Sequence, residues 1–334
     1  MADRRSQGIT GCIPASLLEQ GVAHESIEGP DTLSRAAAGT PDTAPIVRVR
    51  CRDEADVLAA IRACVETRTP VSVLGGGYSP GALGEAAGTV CLDLAGLDRI
   101  EVDPAACTVT VGGGVTAGAL DRALDGTGLA LNLPVPSRIG VAGAALSGGV
   151  GVLLRRLGFI GDQIVAARLA DGTGTLHAVD EGSDPELLRA LRGGGGNFGA
   201  VTELTLALAP IGDFHVVQLA FAVERAAEGL RFVLDLAAEA GDDLTAVAFI
   251  RSLPPLPGLD ASLAGAPGVL ALLVHAGEPE AAERELEPAI RHPRAAAAVS
   301  GRLTPLQLRE RLDGAFPFER FGAHFRSGFA DRLS

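Results

Sequence analysis

The 334-residue sequence contains no lysine, so all 28 of its fixed cations are arginines. A Schiff-base lysine and a Walker-type phosphate lysine are thereby excluded. Tryptophan is absent, Tyr78 is the single tyrosine, and aromatic residues make up 4% of the chain. That is too little for the stacking platforms that hold single-stranded nucleic acid. Acidic residues number 41 and the formal net charge is −13. Such a field repels a polyphosphate backbone, so no nucleic-acid partner is expected. Five cysteines (Cys12, Cys51, Cys64, Cys91 and Cys107) show no CxxC or Cys/His spacing. Neither a disulfide scaffold nor a zinc site is expected, and the thiols read as reduced and mostly buried. His24, His215, His292 and His324 lack acidic or cysteine partners at metal spacing, and no metal is expected. No apolar run reaches the roughly 18 residues of a membrane span, and the N-terminus lacks the apolar stretch of a secretory signal. The expectation is a cytoplasmic protein without a membrane partner.

What is present is glycine and proline, 44 and 20 residues, in a chain that is 47% apolar and 21% charged. This describes a globular protein of many tight turns, long enough for one large or two ordinary domains. Residues 1–40 read as a lead-in with Gly and Pro breakers. A strand over 46–49, a helix over 52–67 with Asp53 as cap, and a strand over 71–74 ending in glycines form a βαβ-like opening. Short strands follow, with helices over 117–124 and 185–191, the latter capped by Asp184. Asp171-Gly172, between strands over 164–169 and 175–179, is the strongest hairpin signal. Beyond Pro210 the glycines thin out. Strands over 215–223, 244–251 and 269–275 alternate with helices over 224–240, 279–291 and 304–316, which places a boundary near residue 212.

Three glycine loops carry the chemistry. Gly75-Gly76-Gly77-Tyr78-Ser79 follows a strand; it reads either as a nest of backbone N–H groups that holds a phosphate without lysine, or as a plain tight turn. Residues 137–143 and 147–151 are two clusters joined by Ala144-Ala145-Leu146. They suggest a backbone lying flat against a large planar ligand, or close packing of a helix on a sheet. Residues 194–199 satisfy GxGxxG, but a helix precedes them and a strand follows, the reverse of the dinucleotide fingerprint.

Together these loops, with Asp184-Pro185-Glu186-Leu187-Leu188-Arg189 running into Gly193-Gly194-Gly195-Gly196-Asn197-Phe198-Gly199-Ala200-Val201-Thr202-Glu203, resemble the FAD-binding PCMH-type domain of the vanillyl-alcohol-oxidase fold. The berberine-bridge-enzyme-like branch is the nearest match, over about residues 40 to 334. The resemblance implies an α+β fold: a two-subdomain FAD-binding domain over 41–212, then a partial substrate domain of antiparallel sheet plus helices over 213–334. It implies an oxidoreductase that moves hydride from an alcohol, sugar or secondary metabolite to FAD, with oxygen or another acceptor reoxidising the flavin. Gly75, Gly76, Gly77, Tyr78 and Ser79 would hold the pyrophosphate. Ile139, Gly140, Val141, Gly143, Ser147, Gly148, Gly149 and Gly151 would run along the flavin and ribityl chain. Asp162, Gly199 and Val201 would lie near the adenine and ribose. Ile139 matches the position that gates oxygen in the family.

The sequence departs from the family at two positions. Gly77 takes the place assigned to a covalently bonded histidine and Pro136 that of a cysteine, so the flavin is expected to be non-covalent. Family members also continue beyond the point matched by Ser334, through a segment that often supplies a catalytic Tyr or Glu. The resemblance therefore implies a shortened chain, for which a flavin-binding protein without turnover, or a FAD subunit of a larger oxidoreductase, is the alternative. No catalytic residue is assigned; the candidates are Arg138, as a cation facing the flavin where negative charge develops, and Arg251 and His275, each at a strand end of the predicted roof, where either could touch substrate and His275 could act as a base.

Overall fold

The computed structural model describes residues 24–25, 47–79 and 83–315. Outside these lie most of the expected lead-in, Cys12, His324 and the end of the segment matched to the substrate domain.

Three layers build the molecule. In the first, β2 (Val47–Arg50), β4 (Val90–Asp93) and β3 (Val71–Leu74) run parallel in that order, with β1 (His24–Glu25) antiparallel on the far side of β2. Helix α1 (Glu54–Thr67) connects β2 to β3. It starts at Asp53, whose carboxylate accepts the Asp56 amide at 2.9 Å, and stops at Arg68, whose φ of 53° turns its amide back onto the Cys64 and Val65 carbonyls. Val57, Ala60, Ile61 and Cys64 recur at helical spacing and are buried against Val47, Val49, Val90 and Leu92. Burial pushes the Cys51 and Cys91 thiols up to about 12 and the Cys64 thiol up to about 11, values at which no reactive thiolate forms.

The second layer is an antiparallel sheet of β5 (Ile100–Asp103), β6 (Thr108–Gly112), β10 (Ala200–Ala207), β8 (Ile164–Ala170) and β9 (Leu176–Asp180), in that order. Helices α2 (Ala117–Leu124), α3 (Val141–Leu146) and α5 (Pro185–Leu191), with the single turn α4 (Leu154–Leu157) between the last two, bury Leu120, Val141, Ala145 and Leu188 against Val109, Leu169 and Leu204. The β8–β9 hairpin forms around Asp171-Gly172 as expected, through the five-residue loop 171–175. The Asp171 carboxylate accepts the amides of Thr173 and Thr175, and Gly174 takes the positive φ. The first two layers meet at glycines: a Cβ added to Gly113 or Gly114 would run into the carbonyl oxygens of Val201 or Leu94. Glu54 of α1 crosses the seam to Arg168 (2.7 Å) and to the Thr202 hydroxyl (2.9 Å). These bonds, that to Arg168 first, hold its carboxyl below the usual range.

A two-stranded ladder of β7 (Leu129–Ala130) and β11 (Ala209–Pro210) leads into the third layer. There β13 (Leu244–Ser252), β14 (Pro267–His275), β12 (Phe214–Ala222) and β15 (Ala297–Leu303) form an antiparallel sheet in that order. Because side chains alternate along a strand, Val217, Leu219, Phe221, Ala271 and Leu273 face α6 (Ala226–Glu239) and α7 (Pro279–Ile290). Phe214, Val216, Leu272 and Val274 face the opposite way and pack on Ala130 and Leu153 of the preceding part. Helix α8 (Pro305–Ala315) closes this interlayer core with Leu308 and Leu312. The fold is thus α+β, two α/β subdomains followed by an antiparallel sheet with helices. Strand β15 was not expected: its Ala-Ala-Val-Ser-Gly composition at a sheet edge carries no apolar alternation.

Candidate functional site

Loop 75–79 leaves β3 at the carboxyl end of a parallel strand, where open α/β sheets place their ligands. Gly77 takes a left-handed φ of 69°. Among the described residues, no backbone carbonyl accepts the amides of Gly75, Gly76 or Gly77. Gly76 packs backbone to backbone on the second glycine cluster; a Cβ there would collide with the Gly140 nitrogen and the Arg138 carbonyl oxygen. The first two loops are therefore one site. Tyr78 and Ser79 lie half-buried beside it.

In the second cluster the glycines conceal a helix. Gly140 stands as the cap of α3, which buries Val141, Ala142, Ala145 and Leu146 and turns Gly143 and Ser147 outward one turn apart. A Cβ on Gly143 or on Gly148 would meet nothing within 4 Å. Gly149 and Gly151 serve close packing instead, Gly149 on Ala144 and Pro134, Gly151 on Leu133 and Asn132. The close-packing reading of this cluster thus holds for Gly149 and Gly151, while Gly143 and Gly148 face open space. Amides that no described backbone carbonyl accepts, in a glycine turn beside a bare helical face, suit phosphate oxygens and a flat ring system, so these residues fit a FAD dinucleotide.

The third loop lies apart. Gly199 packs on the Ala170 carbonyl, and residues 196–200 line a cleft of about 450 Å³ with Ile61, Val71 and Val73 on the flank of β3. The Val201 side chain is buried in the sheet core, leaving only its backbone toward the seam. Asp162 is exposed, and its carboxylate accepts the Phe159 amide at 2.8 Å, capping the 3-10 turn Ile160–Gln163. Arg138 is exposed, and Ile139 is half-buried with its carbonyl accepting the Ala117 amide at 2.8 Å.

His275 does not belong to a substrate site. Strand parity turns it, with Leu273 and Ala271, toward the helices and away from the cofactor-side face. It is fully buried, its Nδ1 accepts the Gly277 amide at 3.1 Å, and its Nε2 lies 3.5 Å from the Glu285 carboxylate. Burial lowers its basicity. Arg251 does share the cofactor-side parity, pairing with Gly268 at the far end of β13.

Sequence reading missed the buried polar residues that hold the loops. Asn132, fully buried, donates to the Gly158 carbonyl (2.7 Å) and accepts the Leu153 amide (3.0 Å), while its own amide donates to Gln163 (3.1 Å). A lone Asn inside Leu129-Ala130-Leu131-Asn132-Leu133 was the available signal. Arg309 of α8, also buried, pairs with Asp121 of α2 and donates to the Pro134 and Val135 carbonyls. Nothing local to α8 announces that contact, which spans more than 170 residues.

This is the architecture that the resemblance to the FAD-binding PCMH-type fold implies, and solved structures share it. Residues 45–180 belong to the FAD binding domain family, and the chain's relatives are FAD-linked oxidoreductases. It is 30% identical over 268 residues to (R)-6-hydroxynicotine oxidase of Paenarthrobacter nicotinovorans, covering 79% of this chain and 57% of that protein. A FAD-linked oxidoreductase of Dictyostelium discoideum is 31% identical over 172 residues, 52% of this chain and 38% of its own length. The chain thus spans little more than half, or less, of these relatives. Among solved structures, 6-hydroxy-D-nicotine oxidase from Arthrobacter nicotinovorans superposes with a TM-score of 0.75 at 27% identity, over 88% of this chain and 64% of that one. A chitooligosaccharide oxidase, at 18% identity and TM-score 0.72 over 93% and 66%, shares the fold.

Proposed function

We propose that the protein is a FAD-dependent oxidoreductase that takes hydride from a small molecule and passes the electrons to oxygen or another acceptor. The observation that carries this is the joined glycine site, Gly75–Gly77 against Gly140 with the bare face of Gly143, inside the stretch that matches a FAD binding domain. The flavin, when bound, accepts the hydride; the chain binds, orients and shields it.

The flavin is held without a covalent bond. A left-handed φ at Gly77 is one that histidine rarely adopts. The first side chain after the paired glycines is the phenol of Tyr78, not an imidazole, and Pro136 offers no thiol. The cleft lined by Gly196, Asn197, Phe198 and Gly199 would hold the adenine end. The sheet face that strand parity turns toward this site is mainly apolar, with Val247, Phe249, Leu270, Leu272 and Val299 around Gln218 and Arg251. Of the alcohols, sugars and secondary metabolites that the resemblance allows, this face favours a largely apolar metabolite with a C–H bond beside nitrogen or oxygen. The protein acts in the cytoplasm.

Anaerobic titration of the FAD-loaded chain with a panel of such compounds tests the reading. Bleaching of the flavin band by one of them is expected. Stoichiometric FAD that no compound bleaches would favour the second reading, a flavin-binding protein without turnover, which the missing imidazole and thiol support.

A further inference from the structure

Residues 134–141, which lead into the cofactor-facing glycines, are held from two sides. The N-terminus of α2 takes one: the Ala117 amide donates to the Ile139 carbonyl (2.8 Å) and the Gly118 amide to the Ser137 carbonyl (2.9 Å), while the Val141 amide donates to Val115 (2.9 Å). Gly118 has no side chain because Ser137 occupies that space. Helix α8 takes the other side. Arg309 and Asp313 stand one turn apart on one helix face. Arg309 donates to the Pro134 and Val135 carbonyls, and the Asp313 carboxylate accepts the Ser137 amide at 2.9 Å. Leu308 and Leu312, on the adjoining face, anchor the helix in the interlayer core. A helix at the far end of the described chain thus fixes the backbone that sets Ile139 and Gly140 against Gly76.

We infer that Asp313 and Arg309 are positioning residues for the cofactor: α8 sets the 134–141 backbone, and through it the spacing between the Gly75–Gly77 nest and the Gly143 face. The third layer is therefore part of the flavin site as well as its roof. The cofactor's identity rests on the function proposed above; the control of the loop by α8 does not.

The test is made in the full chain. Asp313→Ala removes the acceptor for the Ser137 amide, whereas Asp313→Asn keeps one. Asp313→Ala is expected to weaken FAD binding about tenfold, the worth of a hydrogen bond to a charged group, with a shifted visible flavin band. In the same variant the Ser137 amide exchanges hydrogen faster while β14 amides keep their protection. Asp313→Asn restores most of the affinity, which a purely structural loss does not predict. Should Asp313→Ala not fold, Asp313→Glu, which displaces the acceptor by one methylene, takes its place with the same expectation. Parent-like affinity and exchange in Asp313→Ala, or equal loss in Asp313→Asn, would overturn the inference. A parent chain that takes up no FAD sinks the cofactor reading instead. Exchange at Ser137 then decides alone, faster in Asp313→Ala upholding loop control and unchanged overturning it.

Discussion

A leucine at Gly143 adds a side chain where the structure has open space, on a helix whose other face is already packed. Helix propensity favours it by about 0.5–1 kcal/mol over glycine. The apoprotein with Gly143→Leu is therefore expected to melt at or slightly above the parent temperature, yet to lose FAD because the ring system has no room. A fold-preserving variant that still binds stoichiometric FAD would move the flavin off α3. Gly76 offers no such separation, since any side chain there strikes the Gly140 backbone and disturbs the fold and the site together. The sequence shows that both positions are glycine, but not that one faces open space and the other a neighbouring loop. That difference lies in contacts between residues some 65 positions apart.

At the scale of elements, most of the fold was legible. Helix α1 has its Asp53 cap and apolar spacing, α5 has Asp184 before Pro185, and β12, β13 and β14 have apolar alternation or unbroken apolar runs. What stayed hidden was α3, masked by glycine and alanine, and β15, masked by small residues. The roles of Arg309, Asp313 and Asn132 stayed hidden as well, because their partners are fixed by tertiary contact alone. His275 was misplaced for a similar reason: its strand was legible, but which face meets the helices was not. Buried ion pairs make a second prediction at this scale. Arg48 of β2 pairs with Glu85 of the 3-10 turn Leu83–Glu85 at 2.6 Å, both side chains being nearly inaccessible. Glu85→Ala leaves a buried guanidinium without its carboxylate and is expected to cost about 3–5 kcal/mol in urea unfolding. A loss below about 1 kcal/mol, the range of exposed pairs, would show that water reaches this site.

At the scale of the molecule, the third layer carries a pH dependence. Burial lowers the His275 pKa below its ordinary value of about 6.5, while Glu285 and Asp243 pull it up and His215 pushes it down. A lowered value means that the unfolded chain takes the proton first. The stability gained by burying the neutral ring is therefore complete above about pH 6.5 and is lost as pH falls through the folded value. Urea midpoints should drop between about pH 7 and pH 5.5 in the parent, and drop less in His275→Gln. Identical slopes would mean that other groups dominate.

On the function proposed, this lysine-free, acidic chain holds FAD through glycine backbone and helix α8 without a covalent bond. A visible absorption spectrum of the purified, FAD-incubated protein, repeated on the supernatant after acid precipitation, tests it most directly. Flavin bands on the protein that pass wholly into the supernatant are expected. Colour retained in the precipitate would contradict the non-covalent site, and a protein that stays colourless would contradict the flavin site itself.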